Sequence, residues 1–327
     1  MKLLITGGTG YVGSPVVHEL KKLGHEIVVF DNLVYGHKKA LPKGVRLVKA
    51  DLLKAKVLAD LFEEFEPEAV LHFAAYTYVG ESVEKPEKYF RNNIVGSLNL
   101  LEAIKDYGVK KIIFSSSAAV YGQPKSVPIK EDAPLIPTSP YGETKLVIEQ
   151  MLRAFDTAHG IKSISLRYFN AAGADLEYDL GEDHTPESHL ISLVMKVALD
   201  QLPEIKIFGD DYDTPDGTCI RDYIHIKDLA KAHILALDKL SKGGETSPYN
   251  LGNGIGTSVK EIIETARDVS GKKIKAMVVA RRAGDPAKLI ASYDKAKKEL
   301  GWVPKRSDVK TIVSDAWEWH SKHPKGY

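Results

Sequence analysis

Tyr141 and Lys145 stand four residues apart at the start of a helix-like stretch, shortly after a strand-like run, Lys111 to Ser117, that empties into three serines. Residues at i and i+4 share one helix face. A phenol and an ammonium so placed can do acid and base work on an alcohol: the phenol exchanges a proton, the positive charge favours the phenolate, and a serine hydroxyl holds the reacting oxygen. Lowering a tyrosine pKa from about 10 by roughly three units takes about 4 kcal/mol of differential stabilisation. The pattern Tyr-x-x-x-Lys alone decides nothing, because it recurs at Tyr35/Lys39, Tyr107/Lys111, Tyr121/Lys125, Tyr223/Lys227 and Tyr293/Lys297. Tyr35 lies in a glycine turn, Gly108 and Pro124 interrupt the next two pairs, Tyr223 sits in an alternating stretch, and Tyr293 is far in sequence from a sheet exit. Only Tyr141 opens a helix after a strand ending in serines. For Ser115, Ser116 and Ser117 the plain alternative is turn or helix capping, and at most one is expected to face a substrate.

Such a pair works beside a nicotinamide, and the first thirty residues offer a place to hold one. The apolar run Leu3 to Ile5 is followed by Gly7, Gly10 and Gly13, then by Val16, Val17, Leu20 and Leu23 at helical spacing, closed by Gly24. The pattern predicts strand, tight turn and helix, with glycines making the turn, letting backbone approach a phosphate and letting the helix lie close on the sheet. The spacing is G-x-x-G-x-x-G, and by itself it fits an ordinary strand-to-helix turn equally well. A second apolar run, Ile27 to Phe30, ends in Asp31, where a dinucleotide site needs a carboxylate for the adenosine ribose. The alternative for Asp31 is a solvated turn residue. With no arginine beside it, Asp31 would repel a 2′-phosphate, so the combination predicts NAD rather than NADP.

Alternating elements must position these groups. Val45 to Leu53 reads as a third strand with Asp51 near its end, residues 54 to 66 as a helix ended by Pro67, and Ala69 to Ala75 as a short strand. Pro86 opens a helix that runs through Asn92 and Asn93 to Ile104, Tyr141 to His159 is a helix stopped by Gly160, and Ile161 to Arg167 is a strand. This order predicts an α/β fold, a doubly wound parallel sheet of Rossmann-like type with helices on both faces and ligands at the carboxyl ends of the strands. From Asn170 the pattern turns irregular. Residues 1–170 are expected to bind the dinucleotide and 171–327 to form a smaller mixed α/β substrate-binding region, with part of 220–240 rejoining the first domain and its sheet.

Composition narrows the classes. The 327 residues are 43% hydrophobic with a net charge of +1, enough for a packed core and too balanced for a nucleic-acid partner. One cysteine, Cys219, can build neither a disulfide framework nor a thiolate metal site, and the expected setting is cytoplasmic. His72 and His189 stand apart without metal spacing, so no metal is expected. No leader-like segment and no apolar run of membrane length is present.

The motifs TGGTGYVG, DNL, HFAA, the serine triplet with AAVYG, YGETK, LRYFNAAGA and RDYIH occur in the order found in extended short-chain dehydrogenase/reductases. The chain resembles that family over nearly its whole length, most of all its nucleotide-sugar 4-epimerases. The resemblance implies NAD as cofactor, with contacts from Gly7, Gly10, Tyr11, Val12 and Gly13, from Asp31, Asn32, Leu33, Tyr35 and Gly36, and from Asp51 and Leu52 at the adenine. Further contacts implied are Phe73, Ala74 and Ala75, then Asn92, Ser115, Tyr141 and Lys145, and finally Tyr168 and Phe169. Catalysis falls on Ser117, Tyr141 and Lys145. Nucleotide-sugar contacts fall on Thr77, Ser117, Tyr141 and Asn170, on His189 and Leu190, on Lys206, Ile207 and Phe208 at the uracil, and on Arg221, Arg282, Asp285 and Leu289. A guanidinium fork matches diphosphate oxygens, which suits both arginines, although a plain salt bridge fits either. The implied activity is interconversion of UDP-glucose and UDP-galactose through oxidation at C4, rotation of the 4-keto sugar and re-reduction. UDP-glucuronate and UDP-N-acetylglucosamine are alternative substrates. A homodimer through residues 88–106 and 141–158 is implied too, with no nucleic-acid or membrane partner.

The chain departs from the family pattern in three places. Thr77 stands where some members carry a lysine near the nicotinamide, which would leave Tyr141 more dependent on Lys145. Ser188 and His189 replace paired asparagines, and Leu289 replaces a bulky aromatic, leaving room for an N-acetyl group. A 4,6-dehydratase would need an acid beside Ser116, Ser117 and Ala118, and none is there. A non-catalytic NAD sensor would have lost Tyr141 or Lys145.

Overall fold

In the computed structural model, which describes residues 1–282 and 285–327, the first strand, Lys2–Thr6 (β1), is buried from Leu3 onward, as a strand covered on both faces must be. Gly13–Lys22 (α1), Glu26–Asp31 (β2), Arg46–Lys49 (β3), Ala55–Phe65 (α2) and Ala69–His72 (β4) follow. A helical stretch then comes in pieces, Val79–Glu84 (α3), Pro86–Tyr89 (α4) and Gly96–Asp106 (α5), with a π-helical segment, Phe90–Val95, between the last two. Lys111–Ser117 (β5), Pro140–His159 (α6) and Lys162–Tyr168 (β6) come next. Beyond them lie Asn170–Ala172 (β7), Leu190–Ala198 (α7), Ile205–Phe208 (β8), Ile220–Arg221 (β9), Tyr223–His225 (β10), Ile226–Ser241 (α8) and Ser247–Leu251 (β11). Thr257–Ser258 (β12), Val259–Ser270 (α9), Ala276–Val279 (β13), Lys288–Leu289 (β14), Asp294–Leu300 (α10) and Val309–Lys322 (α11) complete the order. Residues 1–122, 134–167 and 230–249 make one compact unit, and residues 123–133, 168–229 and 250–327 make another.

The main sheet has seven strands in the order β11-β6-β5-β4-β1-β2-β3. β1 runs parallel to β2 and to β4, β2 to β3, and β4 to β5. Strand order therefore reverses between β1 and β4, and at such a switch point the carboxyl ends of an open α/β sheet receive ligands. This is the doubly wound sheet that the alternating pattern predicts. Leu58, Leu61, Phe62 and Phe65 of α2 pack with Leu100, Leu101 and Ile104 of α5 in a core that also holds Leu4, Val28, Val70 and Phe114. Complete burial of a Leu or Phe contributes about 1.5–3 kcal/mol, so these faces hold the first unit's framework rigid. In the second unit Ile191, Val194 and Met195 of α7, Ile262, Ile263 and Ala266 of α9, and Ile312, Val313 and Ala316 of α11 share a core with Ile205 and Ile207.

Several expectations need correction. The strand expected over Val45 to Leu53 ends at Lys49, because the Asp51 carboxylate accepts from Leu53 N at 2.9 Å and closes a local turn. The strand expected to Ala75 stops at His72, where Phe73 N and Ala74 N both donate to Thr6 O, at 2.8 and 3.1 Å. The helix expected from Pro86 to Ile104 carries the π-helical segment Phe90–Val95, a change of hydrogen-bond register that no breaker residue announces. Of the stretch 220–240, Tyr223–His225 pairs with β7 in a two-stranded sheet and not with the main sheet, whereas the residues from 230 onward do belong to the first unit. The added edge strand is Ser247–Leu251.

Candidate active site

The phenol at position 141 owes its place to the start of α6. Ser139 caps the helix by accepting from Gly142 N at 3.2 Å, and Pro140 occupies its first turn, both ordinary helix-start devices. Tyr141 is 8% exposed. Burial pushes its phenol up to about 12, while a hydrogen bond with Ser117 pulls the other way. In the chain by itself burial outweighs that hydrogen bond. Lys145 Nζ sits 5.8 Å from the Tyr141 ring centre and donates to Ser115 O at 2.7 Å. Desolvation lowers its pKa to about 7, against the pull of Glu149, so near neutral pH the ammonium is only partly charged.

The three serines go three ways. Ser115 offers its carbonyl to Lys145. The Ser116 hydroxyl donates to Glu149 Oε1 at 2.6 Å. Ser117 Oγ accepts from Ala119 N at 3.1 Å and also meets the phenol. Ser117 is the serine seen to meet the Tyr141 phenol. Glu149 is gripped at both oxygens by Arg167, Nε to Oε1 at 2.9 Å and Nη2 to Oε2 at 2.6 Å, and Arg167 Nη1 donates to the Tyr121 hydroxyl at 2.8 Å. Arg167 is 1% exposed, so this bidentate pair fixes α6 against β5 and β6. Glu149 and Arg167 were not among the expected site residues; the one available signal was Glu149 standing one turn after Lys145.

His72, expected to be isolated, has a structural role. Ser97 Oγ donates to Asn93 O at 2.5 Å and so accepts from His72 Nε2 at 2.8 Å, which leaves His72 Nδ1 to accept from Thr6 Oγ1 at 2.7 Å. Burial, reinforced by Lys145, drops its pKa to about 3, and it stays neutral. Asn93, also unforeseen, binds Tyr76 N and O at 2.8 and 3.0 Å and Thr144 Oγ1 at 3.0 Å. Its neighbour Asn92 donates to Asn93 Oδ1 at 2.9 Å. The π-helical segment thereby places the Asn92/Asn93 pair between α6 and the backbone beyond β4.

At the β1–α1 turn Gly7 has φ +72°, and an added Cβ would lie 2.5 Å from Ala74 N. A Cβ on Gly13 would strike Gly7 O, whereas one on Gly10 would meet nothing closer than Gly7 O at 3.4 Å. Gly10 thus leaves an open face on the loop, and α1 starts with no side-chain cap and no acidic residue in its first turn. Both features suit a phosphate-bearing cofactor. Asp31 accepts from Thr9 N at 3.1 Å, Thr9 Oγ1 at 2.6 Å and Leu33 N at 2.9 Å, which leaves about one of its four acceptor positions for a ribose hydroxyl. Asn32 donates to Asp51 Oδ2 at 3.0 Å, bringing two expected adenosine contacts together, and Leu52 is buried. Tyr11 and Val12 are half-buried in the loop. Tyr35, beside Gly36, meets the rings of Tyr76 and Tyr78 edge-on at 5.5 and 5.1 Å, in a cluster that also includes Tyr141. Phe73, Ala74 and Ala75 are half-buried and Thr77 is exposed.

In the second unit Arg221 donates to Asp285 Oδ1 at 3.2 Å and to the carbonyls of Ile220 and Pro286, each at 2.9 Å. Leu289 pairs with Arg221 through the parallel strands β14 and β9. The Arg282 guanidinium lies 3.9 Å from the Phe208 ring centre. Lys206 and Ile207 precede that phenylalanine on β8, the first exposed and the second buried. Tyr168 and Phe169 are half-buried, and Asn170 donates from N and Nδ2 to Asp222 O at 3.0 and 3.2 Å. Asp222 of the RDYIH motif is structural, since its carboxylate accepts from Asn253 N, Gly254 N and Ala291 N. His189, ahead of Leu190, is corrected from a histidine standing apart. Glu182, His184, Glu187 and His189 bring four ligand-type atoms within 4.8 Å of one another.

The chain matches the NAD dependent epimerase/dehydratase family over residues 3–252, and it belongs to that family. It is 51% identical to the UDP-glucose 4-epimerase of Halalkalibacterium halodurans, across 100% of this chain and 98% of that one. Among solved structures it is similar to a UDP-glucose 4-epimerase crystal structure at TM-score 0.97 and 51% identity, covering 100% of this chain and 99% of the other. It is also similar to the Bifidobacterium longum UDP-glucose 4-epimerase in complex with NAD+ and UDP, at TM-score 0.95 and 39% identity over 100% of both chains.

Proposed function

We propose that this chain interconverts UDP-glucose and UDP-galactose with NAD as cofactor. The carrying observation is the buried Tyr141 phenol, in hydrogen bond with Ser117 and one turn from Lys145, in a chain similar end to end to UDP-glucose 4-epimerases. Gly7, Gly10, Gly13, Asp31 and Asp51 would hold NAD, which supplies a hydride acceptor and, when oxidised, a positive charge. Tyr141 takes the proton of the sugar 4-hydroxyl as that carbon is oxidised and returns a proton after the 4-keto sugar has presented its other face. Ser117 positions the reacting oxygen. Lys145, holding Ser115 O, adds positive potential near the phenolate and lowers the cost of forming it. Arg221 and Arg282 are the proposed diphosphate contacts, with Phe208 and Lys206 at the uracil, so the nucleotide carries the affinity and the hexose remains free to turn.

Relatives of the nucleotide-sugar 4-epimerase type imply a homodimer. Val83, Phe90, Val95 and Leu98, exposed along the helical stretch 79–106, support that reading. A single cysteine, Cys219, is in keeping with a cytoplasmic setting. The decisive experiment mixes purified protein with UDP-galactose, without added NAD, and follows UDP-glucose. Product is expected from the parent, and Tyr141→Phe is expected to lower kcat by roughly 10²–10⁴-fold. Parent protein verified to retain NAD yet inactive on both UDP-hexoses would overturn the assignment.

A further inference from the structure

We propose that Glu182, His184, Glu187 and His189 form a divalent transition-metal site, with zinc the best-fitting ion. His189 Nδ1 lies 2.9 Å from Glu182 Oε1 and 3.2 Å from Glu187 Oε1. His184 Nδ1 lies 3.6 Å from Glu182 Oε1 and 3.9 Å from Glu187 Oε2. Bonds of about 2.0–2.1 Å to a tetrahedral zinc separate its ligand atoms by roughly 3.3–3.5 Å; with Glu182 Oε1 and Glu187 Oε2 as the carboxylate ligands, the spacings of 2.9, 3.6 and 3.9 Å bracket that edge, and all four ligand atoms lie within 4.8 Å of one another.

The orientations favour a shared ion over a set of hydrogen bonds. His189 Nδ1 is buried and has no hydrogen-bond partner among the described residues despite its closeness to both carboxylates, and the same holds for Glu187 Oε2. Their lone pairs are thus left open to a shared ion. The remaining oxygens are already fixed. Glu187 Oε1 accepts from Ser188 N at 2.7 Å and His189 N at 2.8 Å, and Glu182 Oε2 accepts from Ser192 Oγ at 2.5 Å. Outer contacts of this kind orient metal-binding carboxylates.

Charge and access agree. The side chains of Glu182 and Glu187 are 6% and 2% exposed, and a divalent cation balances two buried carboxylates while both imidazoles stay neutral. Imidazole with carboxylate, and no thiolate, suits zinc and its first-row neighbours. The His189 side chain is 43% exposed and leaves a route for the ion. All four ligands fall between residues 182 and 189, directly before α7, so the ion would staple one eight-residue loop.

The test uses tag-free parent protein and zinc alone as the probe. Mass spectrometric metal analysis after dialysis should find about one zinc per chain, and X-ray absorption should show two imidazole nitrogens with oxygen neighbours and no sulfur. In competition with a chromophoric chelator, Ser192→Ala should weaken zinc by about 10-fold or more. The double variant Glu187→Gln with His184→Asn should bind none at this site, its fold being checked by circular dichroism. Retention below about 0.1 equivalent with no uptake at micromolar zinc would leave an imidazolium–carboxylate cluster and overturn the proposal. Sulfur in the coordination shell would also overturn it. So would undiminished uptake by the folded double variant.

Discussion

An ammonium that is 2% exposed and donates to one carbonyl oxygen has lost most of its hydration, and Lys145 is such a group. Desolvation holds its pKa at about 7, against about 10.4 for an unconstrained lysine. Between those values the unfolded chain binds the extra proton, so stability rises with pH. The cost of the buried charge is complete below the folded value and fades as pH climbs toward the unfolded one. Lys145→Met removes this titration and leaves a pH-independent cost in the abandoned Ser115 carbonyl. Parent stability, measured against the variant by thermal melting, should therefore rise by roughly 2–3 kcal/mol between about pH 6 and about pH 9, while kcat falls by roughly 10²-fold or more in the variant. A stability difference equal at both pH values would show that Lys145 is not the buried, weakly charged group described. Burial moves His72 in the same direction. Held at about 3, it stays neutral, and its two ring nitrogens serve only to join Thr6 to Ser97.

At the scale of elements, α6 carries both catalytic candidates and must not shift against β5. The Glu149–Arg167 pair fastens it, with Ser116 on β5 and Arg167 on β6 meeting the same carboxylate. A buried pair adds little net stability over an apolar replacement, yet removing one partner strands the other. Glu149→Gln should accordingly cost about 3–5 kcal/mol in guanidinium unfolding with an unchanged slope, and adding Arg167→Met should recover part of that loss. A cost below about 1 kcal/mol would mean that α6 is held by packing alone. The π-helical segment Phe90–Val95 serves the same helix from its other side, since Asn93 reaches Thr144 there.

For the molecule as a whole, the proposed dimer face follows from side chains that one chain leaves in water. Val83 is 62% exposed, Val95 44%, Phe90 40% and Leu98 38%, a spread of apolar surface along residues 79–106 of the kind that marks an interface. Light scattering should give twice the 36.1 kDa chain mass for the parent, and Phe90→Glu with Leu98→Glu should shift the assembly toward monomer; a monomeric parent at micromolar concentration would refute the face. What could be read without coordinates was local. The Gly7/Gly10/Gly13 turn, Asp31 at the end of β2, the start of α6 at Tyr141 and its stop at Gly160, and the Tyr141/Lys145 face all follow from spacings of a few residues, which backbone geometry translates directly into position. The end of β3 escaped because the Asp51 side chain competes with the strand for backbone N–H, and the π-helical segment because a switch to i→i+5 bonding inside a helix carries no residue signature. Glu149 and Arg167 lie 18 residues apart and meet only after β6 folds beside β5. The sequence by itself established the fold class and the cofactor chemistry, and it placed the proposed catalytic pair one helical turn apart. Tertiary structure alone decided which serine meets the phenol, how far burial moves Tyr141 and Lys145, and how four side chains of one loop converge, because desolvation and convergence depend on what surrounds a residue in space and not on what precedes it in the chain.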